Sequence, residues 1–231
     1  MLARYDLRFE HPTFDFFGWG IMAVAKGATG FVINENITDA ETNRRIDSII
    51  WPGAAIFGLP ISRGGDGHRF LVDDAYRWRL RHLIRWIKKG RTFTRLKSIK
   101  PAASERYTVT IRNSRVDRWR NSNSELWREF ARDIGAYVIE DYYDKPIDLH
   151  DRMALYAGAK MNFGVWSGPM SLITFTEYPC RCSNWGVDEP DKILNSDIVR
   201  GEEPPWLLPN QRAPWKPASR ALFDKWKQES Y

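Results

Sequence analysis

The spacing of apolar residues predicts alternating strands and helices in the second half of the chain. Short runs typical of buried strands lie at residues 107–111, 136–140 and 160–165. Segments with helical spacing lie at residues 124–134, 148–159 and 170–178. Ser124 is a typical residue to begin the first of these helices, and Gly135 is typical just past its end. Because strand and helix alternate three times, this half is expected to form a parallel α/β sheet.

The first half shows a similar but less regular alternation. Strands are predicted at residues 4–9, 30–34 and 47–51, with a helix at 12–29 and a glycine-rich loop at 62–67. The pattern favours another small α/β lobe in the first half of the chain.

These elements divide the chain into three regions. We expect an α/β fold of two small Rossmann-like lobes, at residues 1–100 and 101–200, with a parallel sheet in the second. Residues 201–231 form a tail rich in proline and tryptophan, expected to be irregular until a last helix at 218–228.

A basic amphipathic helix is predicted at residues 76–90. Four apolar residues fall at the spacing of one helical stripe: Leu80, Leu83, Ile84 and Ile87. Gly90 is typical of the position just past a helix C-terminus. The helix is therefore expected to bury one face and to turn its arginines and lysines outward.

Charge is concentrated in and after this helix. The chain has 35 Lys and Arg against 29 Asp and Glu, a formal charge of +6. Ten of the bases and no acid lie at residues 77–100, which leaves 25 bases and 29 acids elsewhere. The basicity is therefore a local feature.

Three interpretations of residues 77–100 remain open. The first is a helix docked on the core with a solvated basic face. The second is attachment to an anionic membrane, with Trp78 and Trp86 at the headgroups. The third is binding to nucleic acid, which ranks last because no known nucleic-acid-binding motif accompanies the charge.

The remaining composition is typical of a globular protein. Hydrophobic residues make up 43% and charged residues 28%, which is ordinary for a globular chain and excludes disorder over most of the length. No apolar run is long enough to span a bilayer or to serve as a secretory signal. The only cysteines, Cys180 and Cys182, are expected to be unbonded and are a poor metal site. We expect the protein in the cytoplasm, with peripheral association at the inner face of the membrane as an alternative.

Polar residues with phosphate-binding chemistry follow the predicted strands of the second half. Arg112 and Arg120 follow the first strand, and Glu140 ends the second. The third strand leads through Trp166 into five candidate residues: Ser167, Gly168, Pro169, Met170 and Ser171. Since ligands of parallel sheets bind beyond the carboxyl ends of the strands, these groups are expected to share one pocket.

The turn after the third strand predicts an anion site. Gly168 permits close approach of the backbone, and Pro169 suits the first turn of a helix. The N–H groups of residues 170–172 are expected to be free at the helix N-terminus, where a phosphate would bind. The alternative interpretation is a plain strand-to-helix turn.

The stretch Lys160-Met-Asn-Phe-Gly-Val-Trp-Ser-Gly-Pro-Met-Ser-Leu-Ile173 resembles the donor-phosphate segment of GT-B glycosyltransferases, in particular the heptosyltransferase-like and fucosyltransferase-like families. The strand at 109–114 is similar to the first strand of their C-terminal half, where an arginine often meets the phosphates. The resemblance covers roughly residues 106–182. It implies a GT-B-like pair of lobes and transfer of a sugar from a nucleotide donor to a surface glycan or a lipid-linked acceptor.

The resemblance also implies a base in the N-terminal lobe, which would deprotonate the acceptor hydroxyl. Asp15 and His11 follow the first strand of that lobe and are the candidates, with a capping role as the alternative. Glu140 is a candidate for the ribose hydroxyls. No metal site and no cofactor are expected beyond the nucleotide sugar itself. The competing functions are a non-enzymatic domain that binds a phosphorylated ligand or a protein, and a nucleic-acid-binding protein.

Overall fold

The computed structural model describes residues 1–7, 12–33, 39–67, 79–102, 106–114, 118, 121–140, 147–184, 203–214 and 216–230. The chain is an α/β protein with two parallel sheets, of three and five strands. It divides into two compact units, Met1–Lys97 (unit 1) and Ser98–Tyr231 (unit 2). The predicted α/β, Rossmann-like fold class is confirmed.

Unit 1 contains a parallel sheet with the strands in chain order. Its strands are β1 (Leu2–Tyr5), β2 (Gly30–Ile33) and β3 (Ile61–Arg63). Its helices are α1 (Asp15–Ala25), α2 (Ala40–Arg45), α3 (Trp51–Phe57) and α4 (Arg79–Lys88). The glycine-rich stretch after residue 60 therefore begins with a strand, which is too short to show a periodic pattern in the sequence.

The predicted strand at 47–51 is wrong. Residues Ile46–Ile50 form a π-helical segment that joins α2 to α3. The Asp39 carboxylate begins this helical stretch by accepting hydrogen bonds from the N–H groups of Glu41 and Thr42. Once the helix has begun, Ile46 and Ile50 bury their side chains in the core. These β-branched residues, which by themselves favour a strand, are therefore part of a helix.

Pro52 and Gly53, a pair of residues typical of turns, lie inside α3. Pro52 lies in the first turn of α3, directly after the π-helical segment. A Cβ atom on Gly53 would lie 2.9 Å from the Phe17 ring and 3.2 Å from the Phe16 ring. The glycine therefore permits close packing of α3 against α1.

Helix α4 matches much of the prediction for the basic helix. Leu83 and Ile84 are buried and Ile87 is half-buried. Gly90 has φ of +70°, the left-handed conformation expected just past a helix C-terminus. The predicted start of the helix and the side chain of Leu80 lie outside the described residues.

Unit 2 contains a parallel sheet with the strand order β5-β4-β6-β7-β8. Its strands are β4 (Thr108–Ile111), β5 (Tyr137–Glu140), β6 (Asn162–Val165), β7 (Cys180–Ser183) and β8 (Gln211–Arg212). Its helices are α5 (Ser124–Asp133), α6 (Leu149–Ala157), α7 (Gly168–Thr174) and α8 (Arg220–Ser230). The three predicted strands and the helices between them are confirmed, whereas β7 and β8 were not predicted.

Asn123, and not Ser124, caps α5, because its side chain accepts a hydrogen bond from the N–H of Leu126. The predicted end of this helix is confirmed, since Gly135 has φ of +63°. In α6, Leu149, Met153 and Tyr156 have the spacing of one helical face, and all three are buried.

Aromatic rings fill the space between the sheet and two helices of unit 2. Rings of α5, β6 and α8 contact one another, with centroids 4.2 to 6.4 Å apart: Trp127, Phe130, Phe163, Phe223 and Trp226. Helix α8 therefore belongs to the core of unit 2. Within the described part of the chain, no helix is both long and apolar enough to cross a bilayer.

Candidate phosphate-binding site

The connections of unit 2 diverge between β4 and β6. From β4 the chain passes through α5 to β5 on one side, and then through α6 to β6 on the other side of β4. Connections that leave in opposite directions open a crevice at the carboxyl ends of these two strands, which is where ligands of such sheets bind. Thr110 pairs with Gly164 in the register, so Arg112 and Trp166 follow at matching positions on strands about 4.8 Å apart.

Arg112 is held in a folded loop at the end of β4. Its N–H donates to Ser122 Oγ (2.9 Å), and its carbonyl accepts from the Ser122 N–H (3.0 Å). Its guanidinium Nη1 donates to Asn121 Oδ1 (2.6 Å). Asn121 also exchanges hydrogen bonds with the backbone of Ser114 (2.9 and 3.0 Å), so one amide side chain closes the loop. The arginine therefore has a defined position beside the crevice.

The turn between β6 and α7 supplies small and polar groups on the other side of the crevice. Ser167 has an extended backbone and lies before α7, with Gly168 and Pro169 in the first turn. The Ser167 hydroxyl is buried and has no hydrogen-bond partner among the described residues. A buried hydroxyl without a partner is costly, and a phosphate oxygen would satisfy it.

The expectation that the N–H groups of residues 170–172 are all free is wrong. The Ser171 N–H donates to the Ser167 carbonyl (2.7 Å), which is the first bond of the helical ladder. Because the ladder begins there, the free end comprises the N–H groups of Gly168 and Met170, with Pro169 between them lacking one. The hydroxyl of Ser171, which is half-buried, remains a candidate.

Met170 fixes the start of α7 over the crevice. A Cβ atom on Gly164 would lie 2.8 Å from Met170 Sδ and 3.1 Å from the Thr110 carbonyl. The thioether therefore occupies the space above β6 that a side chain at position 164 would fill. Pro169 and Met170 are both buried, so the side chains of these two residues pack the turn against the interior of unit 2.

Glu140 lies at the carboxyl end of β5 and already has two partners. Its side chain is 7% exposed and forms an ion pair with Arg128 of α5. Its other oxygen accepts from the Asn113 side chain (3.3 Å). The carboxylate thus ties the loop after β4 to β5, and its role toward ribose stays a prediction.

The remaining candidates are not brought to this crevice by the described structure. Arg120 and His11 lie outside the described residues. Asp15 is the first residue of α1 in unit 1, where its carboxylate accepts from Thr13 Oγ1 (2.8 Å). Its catalytic role stays a prediction.

A buried polar network beneath the crevice was not predicted. Arg152 of α6 donates to Tyr156 Oη (3.1 Å), which lies 3.0 Å from Thr110 Oγ1 on β4. At the amino end of the strands, Thr108 donates to Asn162 Oδ1 (2.6 Å). The sequence carries one signal for this network, because Arg152 and Tyr156 are four residues apart on a helix. The network anchors α6 to the two strands that border the crevice.

Cys180 and Cys182 are free and buried, as predicted. A hydrogen bond with Cys180, together with burial, raises the pKa of the Cys182 thiol well above its ordinary value. The Cys182 thiol therefore remains protonated and poorly nucleophilic. Among the described side chains, no three His, Cys, Asp or Glu residues come together as a metal-binding group.

No protein-family model matches the chain, and neither does any curated protein or solved structure. The chemistry of the crevice is therefore inferred from its own residues.

Proposed function

We propose that the crevice of unit 2 binds the diphosphate of a nucleotide sugar and that the protein is a glycosyltransferase. The observation that carries the proposal is the pairing of two groups at the switch point of the sheet. Arg112 directly follows one strand, and the Ser167-Gly168 turn follows its neighbour. Two groups suited to oxyanions thus lie on adjacent strands at the position where parallel sheets bind ligands.

Each group has a distinct task toward a diphosphate. A guanidinium offers a fixed positive charge and paired donors, which match phosphate oxygens. Gly168 lets the backbone approach the ligand. The Ser167 hydroxyl has no hydrogen-bond partner among the described residues, and the ligand would supply one. The hydroxyl of Ser171 is a further donor.

Sugar transfer is proposed from the resemblance of residues 160–173 to the donor segment of GT-B enzymes. In this reading Arg120 adds a second positive charge, Glu140 contacts the ribose, and Asp15 or His11 takes the proton of the acceptor hydroxyl. The acceptor would be a surface glycan or a lipid-linked precursor. The donor is a substrate, and the proposal includes no metal.

Calorimetry with UDP, GDP, ADP and CMP and their sugar conjugates tests the binding step. The expected result is saturable binding of one nucleotide family to the wild-type chain. Arg112→Ala should weaken this binding about 10–100-fold, the value of one charged hydrogen bond to phosphate. Arg112→Lys should recover part of the loss, because it restores the charge but not the paired donors.

Arg132→Ala is the matched control. Arg132 is exposed near the end of α5, and this variant should bind as the wild type does. Gly168→Val should abolish binding and leave the thermal unfolding curve unchanged. No binding at millimolar nucleotide would contradict the proposal, and binding without turnover of the donor would leave a non-enzymatic phosphate-binding domain.

A further inference from the structure

Positive charge is concentrated in the second half of α4 and in the residues that directly follow this helix. Six cations and no acid lie between positions 85 and 97, and we name them the basic surface: Arg85, Lys88, Lys89, Arg91, Arg95 and Lys97. All are exposed except Arg95, which is half-buried. The rest of the chain has 29 bases and 29 acids, so these six account for the whole formal charge of +6.

The fold of unit 1 turns these cations outward. Arg85, Lys88 and Lys89 have the spacing i, i+3 and i+4, which places them on one side of the helix end. Leu83 and Ile84 on the other side are buried. The apolar face of α4 is thus buried in unit 1. The basic face is exposed and can contact a partner.

The aromatic side chains within the basic surface are already engaged. The Trp86 indole N–H donates to the Thr92 carbonyl (2.7 Å), and the Arg91 guanidinium lies over its ring at 4.6 Å. Arg95 lies over the ring of Phe93 at 5.5 Å. These contacts hold the two arginines in place, and each guanidinium covers one face of a ring on which a base of single-stranded nucleic acid would stack.

We infer that the basic surface docks the protein on an anionic lipid bilayer. The surface is rich in cations, and its two described aromatic rings each lie under an arginine, which favours adsorption at charged headgroups over stacking or insertion. Each Lys or Arg held near an anionic membrane strengthens binding about fivefold. None of these residues belongs to the proposed donor site, so the inference stands apart from the proposed function.

Sedimentation of the full chain with lipid vesicles tests the inference. Vesicles of phosphatidylcholine mixed with phosphatidylserine should bind the protein at low salt, and vesicles of phosphatidylcholine alone should not. Binding should weaken as salt is added, because the charges are exposed and screened. The variant Arg85→Gln, Lys88→Gln, Lys89→Gln should bind about 100-fold more weakly, since three cations are lost.

A control variant removes the same charge from elsewhere. Arg132→Gln, Lys160→Gln and Lys216→Gln change three exposed cations of unit 2 and should leave vesicle binding within about twofold of the wild type. The inference is overturned if anionic vesicles do not bind, or if both triple variants lose equal affinity. It is also overturned if a mixed-sequence oligonucleotide binds the wild type more tightly than the anionic vesicles at the same salt.

Discussion

Tyr156 lies between a charged and a neutral partner in the interior of unit 2. The Tyr156 oxygen accepts from Arg152, because arginine can only donate, and it forms a hydrogen bond with Thr110 Oγ1 in which either hydroxyl can be the donor. One hydroxyl thus satisfies both a buried guanidinium and a side chain of β4. Loss of that hydroxyl would leave both neighbours short of a partner at a depth where water cannot replace it.

Tyr156→Phe should lower the free energy of unfolding by about 1–3 kcal/mol, because the buried partners lose a hydrogen bond while the ring still fills its space. Urea unfolding of the two proteins measures the difference. Tyr137→Phe is the control, since Tyr137 is 49% exposed and its loss should cost less than about 0.5 kcal/mol. Equal losses in the two variants would contradict this role of Tyr156.

At the scale of single elements, α2 depends on charges at its two ends. The Asp39 side chain caps its N-terminus, and Glu41 in the first turn pairs with Arg44 and Arg45 (2.8 and 2.6 Å). Hydrogen bonds from Arg44 and, more weakly, from Arg45 lower the pKa of Glu41 from 4.5 to about 2, against an opposing effect of burial. These local pairs start the helical stretch that continues through the π segment.

The depressed pKa of Glu41 makes the stability of α2 depend on pH. A carboxyl with a lowered pKa in the folded state stabilises fully above its unfolded value of 4.5, and this stabilisation is lost as pH falls from 4.5 toward 2. Glu41→Gln should therefore cost about 1 kcal/mol at neutral pH, since about a third of each side chain is exposed and solvent screens the pair.

Urea unfolding at pH 7 and at pH 3 checks this dependence. The difference between wild type and Glu41→Gln should shrink by about half or more at the lower pH, because the unfolded carboxyl is then protonated. Glu177→Gln, at an exposed position, should show little difference at either pH. A difference that does not change with pH would show that Glu41 acts through packing and not through its charge.

At the scale of the whole molecule, each unit closes its core with elements distant in sequence. In unit 2 the last helix, α8, packs Phe223 and Trp226 against Trp127 and Phe130 of α5. Exposed ion pairs border this contact, between Arg220 and Glu129 and between Lys227 and Asp133. Exposed pairs contribute little, so the buried rings supply most of the stabilisation.

Trp226→Ala should lower the free energy of unfolding of unit 2 by about 3–5 kcal/mol, because a buried indole is replaced by a cavity. Lys225→Ala, at the preceding exposed position, should change it by less than about 0.5 kcal/mol. Chemical denaturation followed by near-ultraviolet circular dichroism compares the two. If Trp226→Ala unfolds as the wild type does, α8 is not part of the core.

Some of this organisation was determined by the sequence alone, because its signals are local. The β-branched run of β4 and the glycine at position 135 each specify their element through backbone preferences that need no distant partner. The positions of Arg112, Glu140 and Ser167 at the strand ends followed from the predicted strands. Once three strands are parallel, the residues that follow them lie at one edge.

Tertiary structure alone decided the rest, because these features depend on contacts distant in sequence. Strands β7 and β8 are strands because each pairs with a parallel neighbour, and Gln211–Arg212 is too short to show any pattern. Residues 46–57 are helical because the core of unit 1 accepts their isoleucines on a helix that Asp39 has begun. The crevice itself exists because β4 lies between β5 and β6, and that order follows from the packing of the helices on the sheet and not from any residue in the loops.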